Sequence, residues 1–436
     1  METTKKQSKF FYGWVVVFAC MLIQAVPYTV AFNVKPQFLS FVTAGEGFSV
    51  TQFSMIFTIG TFVSAIVSPA IGKTLSNPKT NFKLAYLLGG LLTGGAFMLF
   101  SFAGDNIYFY YILFGIVQIG TATISAIGVP LLVSSWFVEN KGLAMGLAFS
   151  GAGMGNIVLQ QVAANLLNNP DVGYKGAYLI FGALSLVVSL LVSIFLVRMP
   201  REGELVTTNS GDDTTKNSKN DGYTFAEAKS MKLFWIFALG FLFVGLYVSG
   251  MSVQFSGYFY SLSPEVFGSE AAQVKFVANV SSVFALMTIF GNLFGGILFD
   301  KFGIKKSLIL AATAIVISGL SLIFLPQMPA LGYVFAVGLG LGMFAYVIGP
   351  SYLTGSLFGN KEFGTILAIV QVFFALGFAF GSSIFAVVVD ANGGDYTVAW
   401  IMVTVLAIIA YASLLFSTGK IAAINKAKEA EQTKIA

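Results

Sequence analysis

Long stretches without a single ionisable side chain constrain this sequence more than any other feature. Asp, Glu, Lys and Arg are missing from 10–34, 47–72, 84–104, 106–138, 142–170, 176–197, 233–264, 276–299, 307–360, 363–389 and 396–419. About 20 mostly apolar residues in a helix cross the roughly 30 Å of hydrocarbon in a bilayer. Inside lipid a helix is one of the two structures that satisfy their own backbone polar groups. Each run is long enough to span, and 307–360 is long enough to span twice. Pro326-Gln327-Met328-Pro329 breaks that run near its middle, because proline cannot continue a helix. The expected fold is an all-α membrane protein of twelve transmembrane helices.

Composition closes the alternatives. Only 10% of the 436 residues are charged, against about 25% in soluble domains. That is too few to wet the surface of a soluble enzyme, a nucleic-acid binder or a disordered chain. The formal charge of +5 comes from scattered lysines, so no nucleic-acid partner is expected. Histidine is absent and Cys20 is the one cysteine, which excludes an internal disulfide and a His/Cys metal site. No cofactor is expected. The glycines at Gly151, Gly153 and Gly155 do not form a nucleotide loop, since no strand precedes them and no lysine follows at Walker spacing.

The basic residues orient the chain. With both termini cytoplasmic, only Lys35, Lys175 and Lys275 fall outside, leaving 21 of the 24 Lys and Arg inside, as the positive-inside rule requires. The first apolar run is too long for a cleavable signal and reads as a retained helix. The one long hydrophilic interval follows six spans and precedes six more, and its core Thr207-Thr208-Asn209-Ser210-Gly211-Asp212-Asp213 has linker composition. The expected organisation is a six-helix bundle over 1–197, a cytoplasmic linker over 198–232 and a second bundle over 233–436. A multi-pass protein of the inner, plasma membrane is expected, and the bias of lysine over arginine fits a bacterial source.

The halves repeat one another. Pro130 is followed by Trp136-Phe137-Val138-Glu139-Asn140-Lys141-Gly142, and Pro350 by Leu357-Phe358-Gly359-Asn360-Lys361-Glu362-Phe363-Gly364. Parallel repeats of this kind build the two halves of transporters that rock about a site near the bilayer midplane. The segment Gly296-Ile297-Leu298-Phe299-Asp300-Lys301-Phe302-Gly303-Ile304-Lys305-Lys306 resembles the conserved cytoplasmic loop of the major facilitator superfamily. Gly296 suits close helix packing, Gly303 a tight turn, and Asp300 a helix N-terminus or basic partner. Gly296, Asp300, Lys301 and Gly303 are therefore the candidate gate. The first-half copy, Pro69-Ala70-Ile71-Gly72-Lys73, lacks the acid. Within the superfamily the chain resembles the oxalate:formate antiporters and monocarboxylate transporters. Trp136-Phe137 with Lys141-Gly142-Leu143-Ala144-Met145-Gly146 carries that resemblance, as does Gly338-x-Gly340-x-Gly342 followed by Phe358-Gly359-x-Lys361.

The resemblance implies two six-helix bundles related by a pseudo-two-fold axis and a cavity lined by the first, fourth, seventh and tenth helices. The candidate binding residues are Tyr28, Asn33, Lys35, Gln118, Tyr247, Gln254, Asn292, Tyr346 and Tyr352. Lys35 is the one basic residue well placed in a span, and the monocarboxylate carriers have a functional lysine at about this place. An ammonium in a low dielectric attracts a carboxylate strongly; the competing reading is a lysine snorkelling to the outer headgroups. Asn292 stands where those relatives carry a basic residue, and the eleventh helix lacks the lysine of oxalate exchangers. A dianion is a poor fit for one cationic anchor, and a monocarboxylate a better one. Asn156, Gln160, Gln161 and Asn165 form a polar set expected to pack against the eighth helix around Asn279 and Ser282.

These features predict a secondary transporter of a small organic anion, working by alternating access as an antiporter or a proton-linked symporter. The competing function is a carrier or efflux pump for neutral or amphipathic solutes. The expected partners are a small-molecule substrate and the lipid bilayer, with the monomer as the functional unit. An enzyme is not expected, since no cluster of acids or histidines lies near a membrane face.

Overall fold

The structure is a computed structural model that describes residues 11–77, 79–137, 139–200 and 222–435. Its spans are α1 (Gly13–Val34), α2 (Met55–Ser76), α3 (Phe82–Phe102), α4 (Ile107–Trp136), α5 (Lys141–Asn168), α6 (Gly173–Leu196) and α7 (Lys232–Ser261). The helix Glu270–Ile323 is broken at Gly303 (φ 75°, ψ 172°), which divides it into α8 (270–302) and α9 (304–323). Then come α10 (Leu331–Phe358), α11 (Phe363–Ala391) and α12 (Thr397–Lys428). Gly303 sits in open space, so its backbone angle and not crowding calls for glycine. The architecture is the twelve-helix fold that the charge-free runs predict.

Polar caps place several helix ends. Ser49 and Gln52 form a reciprocal capping box on the helix leading into α2. Asn81 and Asn106 accept from Leu84 and Tyr108 at the starts of α3 and α4. Two prolines deform the middles of α4 and α10 in the same way. Pro130 has no N–H for the carbonyl of Ala126, and Pro350 none for that of Tyr346. Both helices leave ideal geometry just before the proline. α4 passes through a π-helical turn at Ala122–Ala126, and α10 is divided after Val347. Ala126 and Tyr346 both line the central cavity.

The start of α1, the end of α6, the start of α7 and the end of α12 lie on one face, called here the terminal face; Tyr12, just before α1, donates to the Leu196 carbonyl at the end of α6 at 3.1 Å. Of the expected linker, 201–221 falls outside the described residues, while Gly222 onward is docked on the second half. The Tyr223 amide donates to the Phe358 carbonyl at 2.8 Å, and its hydroxyl donates to Asn425 Oδ1 at 2.7 Å. A short helix, Phe225–Ser230, follows with Thr224 and Glu227 as its capping box. Hydrogen bonding from Thr224, backbone first, holds the Glu227 carboxyl below its ordinary range.

Candidate functional site

A cavity of about 520 Å³ lies between the two halves. α1 contributes Gln24, Tyr28 and Asn33, α4 Ser125, and α5 Phe149 and Asn156. From the second half come Phe255 of α7, Thr288 and Asn292 of α8, Tyr346 of α10, and Gln371 and Phe374 of α11. The lining therefore pairs amides and hydroxyls with aromatic rings, and none of its residues is ionised at neutral pH. Ser125 donates to Gln24 Oε1 at 3.0 Å and ties α4 to α1. Tyr346 stacks on Phe374 with ring centroids 5.5 Å apart, and Tyr28 on Phe32 at 4.8 Å. The side-chain oxygens of Asn156 and Asn292 have no hydrogen-bond partner, although Asn292 is only 4% exposed.

Of the nine binding residues expected from the sequence, the structure brings Tyr28, Asn33, Asn292 and Tyr346 to this cavity. The other five lie elsewhere, each for a local reason. Lys35 is fully buried inside the first half. Its Nζ lies 3.0 Å from the ring centroid of Phe114, 4.5 Å from Phe100 and 5.6 Å from Phe57, without a hydrogen-bond partner. It neither snorkels outward nor meets the cavity. Two residues beyond Asn33, it follows the π-helical turn Val30–Val34, where the helix tightens into the 3₁₀ turn Lys35–Gln37. Gln118 is buried against Gly60 of α2. Tyr247 shares a hydrogen bond with Tyr411 at 3.0 Å, and Gln254 donates to Ser382 Oγ at 2.9 Å. Both are internal ties of the second half. Tyr352 stacks on Phe299 at 4.7 Å beside the gate.

The α5 polar set also divides differently. Gln160 bonds the Asn33 carbonyl at 2.7 Å and pairs with Gln37. Gln161, Asn165, Asn279 and Ser282 are exposed, so the packing expected between α5 and α8 at this level is not made. Gln371 is, with Ser125 and Thr288, a polar lining residue that the sequence reading did not name. A glutamine in an otherwise uncharged α11 was the available signal, as Asn156 was on α5.

Below the cavity the halves close at the terminal face. Asp300 accepts from the amides of Gly142 and Leu143 at 2.9 and 2.8 Å, so its carboxylate caps the N-terminus of α5. Gly142 and Gly296 touch backbone to backbone, and a Cβ on either would collide with the other's carbonyl. Across the pseudo-symmetry axis Ser76 Oγ accepts from the Gly364 amide at 2.8 Å and caps α11, while Gly72 meets Gly364 closely. Turns at Asn140 (φ 54°) and Gly359 (φ 73°) precede the two capped helices. The repeated sequence passages are therefore the two gate contacts. Gly296 and Asp300 make one of them and Gly303 shapes the turn behind it, whereas Lys301 is exposed.

A cavity between two six-helix halves, shut on one side by matched helix-capping contacts, is transporter geometry. The sequence model of the Major Facilitator Superfamily matches residues 16–274 and 248–435. The chain belongs to the Major Facilitator Superfamily. Monocarboxylate transporter 12 of Xenopus laevis is 26% identical over 442 residues, covering 97% of this chain and 92% of that protein. Its human counterpart is 25% identical, covering 90% and 77%. Monocarboxylate transporter 13 of Bos taurus is 30% identical over 175 residues, 40% of each chain. Among solved structures, the superfamily transporter FucP in the outward conformation has a TM-score of 0.65 at 17% identity, covering 92% of this chain and 97% of FucP. The proton:xylose symporter XylE bound to 6-bromo-6-deoxy-D-glucose has a TM-score of 0.69 at 14% identity, covering 92% and 94%. These two show the fold alone. The superfamily assignment and the resemblance to monocarboxylate transporters are both upheld. The relatives named here are vertebrate or, for the solved structures, distant in sequence, and lend no support to a bacterial source.

Proposed function

We propose that this superfamily member is a secondary transporter that carries a small organic solute with one carboxyl group through the cavity between its halves. The carrying observation is that cavity, lined from both halves and sealed at the terminal face by Asp300 and Ser76. With the terminal face cytoplasmic, as the distribution of basic residues supports, the state described here is outward-facing. Rocking about the cavity would release those contacts and admit the solute to the other side. No carboxylate lines the cavity to carry a coupling proton. Exchange, or proton movement with the solute or through Lys35, are the couplings left.

Within this reading Lys35 supplies counter-charge to the carboxylate in another state of the cycle. It lies on the same helix as Asn33, and the π-helical turn Val30–Val34, which holds Asn33 and ends just before Lys35, is a place where register can change. The test is counterflow of labelled propanoate into liposomes holding the purified protein. Lys35→Gln should reduce it at least about tenfold, a loss of roughly 1.4 kcal/mol in the rate-limiting step. Undiminished propanoate counterflow in Lys35→Gln would sink the role. A second reading, a carrier of neutral or amphipathic solutes, is favoured by the uncharged lining and would leave transport by Lys35→Gln intact.

A further inference from the structure

α5 and α8 approach closely near the terminal face, where Gly142 meets Gly296 and Gly146 meets the Asn292 carbonyl, and again at Gly153 against Ile289. Beyond that point each helix carries an exposed row at the same spacing. On α5 the row is Gln161, Ala164 and Asn168; on α8 it is Lys275, Ala278 and Ser282. Residues three and four apart share one helix face, and each row continues the face that already touches the other helix. The antiparallel register set by Gly153 and Ile289, carried on unchanged, puts Ala164 opposite Ala278. Within one residue it also puts Gln161 at Ser282 and Asn168 at Lys275. Two facing alanines leave room for close approach, as Gly142 and Gly296 do at the other end.

The helix ends match in charge as well. α5 has no basic residue in its last turn. The last carbonyls of a helix lack partners within it and form the negative end of its dipole. Asp171, exposed in the loop that follows, adds a negative charge there. About 37 Å apart along α8, by the rise of a helix, stand an anion and a cation. Asp300 caps the N-terminus of α5, and Lys275 is in register with its C-terminus. In the state described here only the first is engaged: Lys275 is exposed and makes no ion pair among the described residues.

We propose that the two rows close on each other as the outer gate of the opposite state, with Lys275 donating to the carbonyls of the last turn of α5. α8 then exchanges one charged contact with α5 for another at its far end, which keeps the two states near balance. The inference rests on the transport reading and adds the contacts that hold its second state.

The test is disulfide cross-linking of Ala164→Cys with Ala278→Cys, in the full-length protein in liposomes with Cys20 replaced by alanine. A bridge needs the two Cα atoms within about 7 Å. It should form at least about tenfold faster once Asp300→Ala and Ser76→Ala open the terminal face. Spin labels across the terminal face, in a parallel sample, report that opening. An open terminal face without faster bridging would overturn the outer gate and leave the transport reading standing. Neither opening nor bridging would overturn both. Bridging as fast with the terminal face shut would make the contact permanent and overturn its gating role. Lys275 has a readout of its own. In the Asp300→Ala, Ser76→Ala background, Lys275→Gln should move the balance back towards closure at the terminal face about fivefold, and Lys275→Arg should not. An unmoved balance in Lys275→Gln would remove Lys275 from the gate.

Discussion

At the scale of single residues, chemical type was legible in the sequence and placement was not. Asn292 was named because it stands where the resembled carriers have a basic residue, and it lies at the cavity. Tyr247 and Gln254 were named as polar residues of a helix expected to line the cavity and proved to be ties within the second half, because their partners Tyr411 and Ser382 lie far along the chain. Nothing in a single sequence pairs such residues. Lys35 shows the limit most sharply: its type pointed to the site, while a π-helical turn and a 3₁₀ turn redirect it into an aromatic pocket. Glu46, at the end of the short helix after α1, yields a pH prediction. A hydrogen bond from Tyr174 and the ion pair with Lys175 at 2.9 Å hold its carboxyl below the ordinary range. A depressed folded pKa contributes stability that is present above the unfolded value and lost as pH falls through the folded one. Glu46→Gln should therefore lower Tm near neutral pH, and the gap from the wild type should close on acidification below the usual carboxylate pKa. A gap independent of pH would contradict this.

At the scale of elements, the gate was half legible. The Asp300 loop announced itself, whereas the first-half copy, which lacks the acid, pointed to no second latch residue. The structure shows Ser76 doing in neutral form, at α11, what Asp300 does with a charge at α5. That substitution was invisible because Ser76 lies beyond the motif and its partner Gly364 is 288 residues away. Hydrogen bonds to a charged group contribute about 1.5–3 kcal/mol each, neutral ones about 1. Asp300→Ala, which loses two such bonds, should thus shift the balance away from closure at the terminal face by at least about 100-fold, and Ser76→Ala about fivefold. Ser76→Asp should do the reverse, placing an anion at a helix N-terminus. Distances between spin labels across the terminal face would report all three. Equal effects of Asp300→Ala and Ser76→Ala would contradict the asymmetry. Gly296→Val should also prevent closure, since its side chain meets the Gly142 carbonyl.

At the scale of the whole molecule, the twelve helices were readable because the bilayer imposes a length and an absence of charge, and both are one-dimensional properties. The break at Pro326–Pro329 and the repeat around Pro130 and Pro350 were equally local. What joins the halves was not readable, since backbone contacts such as Gly142–Gly296 and Gly72–Gly364 carry no pattern beyond glycine itself. The central claim is that one cavity is open to a single side at a time and is switched by these contacts. It can be tested with a single cysteine at Thr288, which lines the cavity, in a background where the buried Cys20 is replaced by alanine. Sealed vesicles of both orientations would be treated with a membrane-impermeant maleimide. Labelling is expected only from the side opposite the terminal face, and from the terminal face once Asp300→Ala and Ser76→Ala are added. Labelling from both sides at once, or a pattern unmoved by the two substitutions, would contradict it.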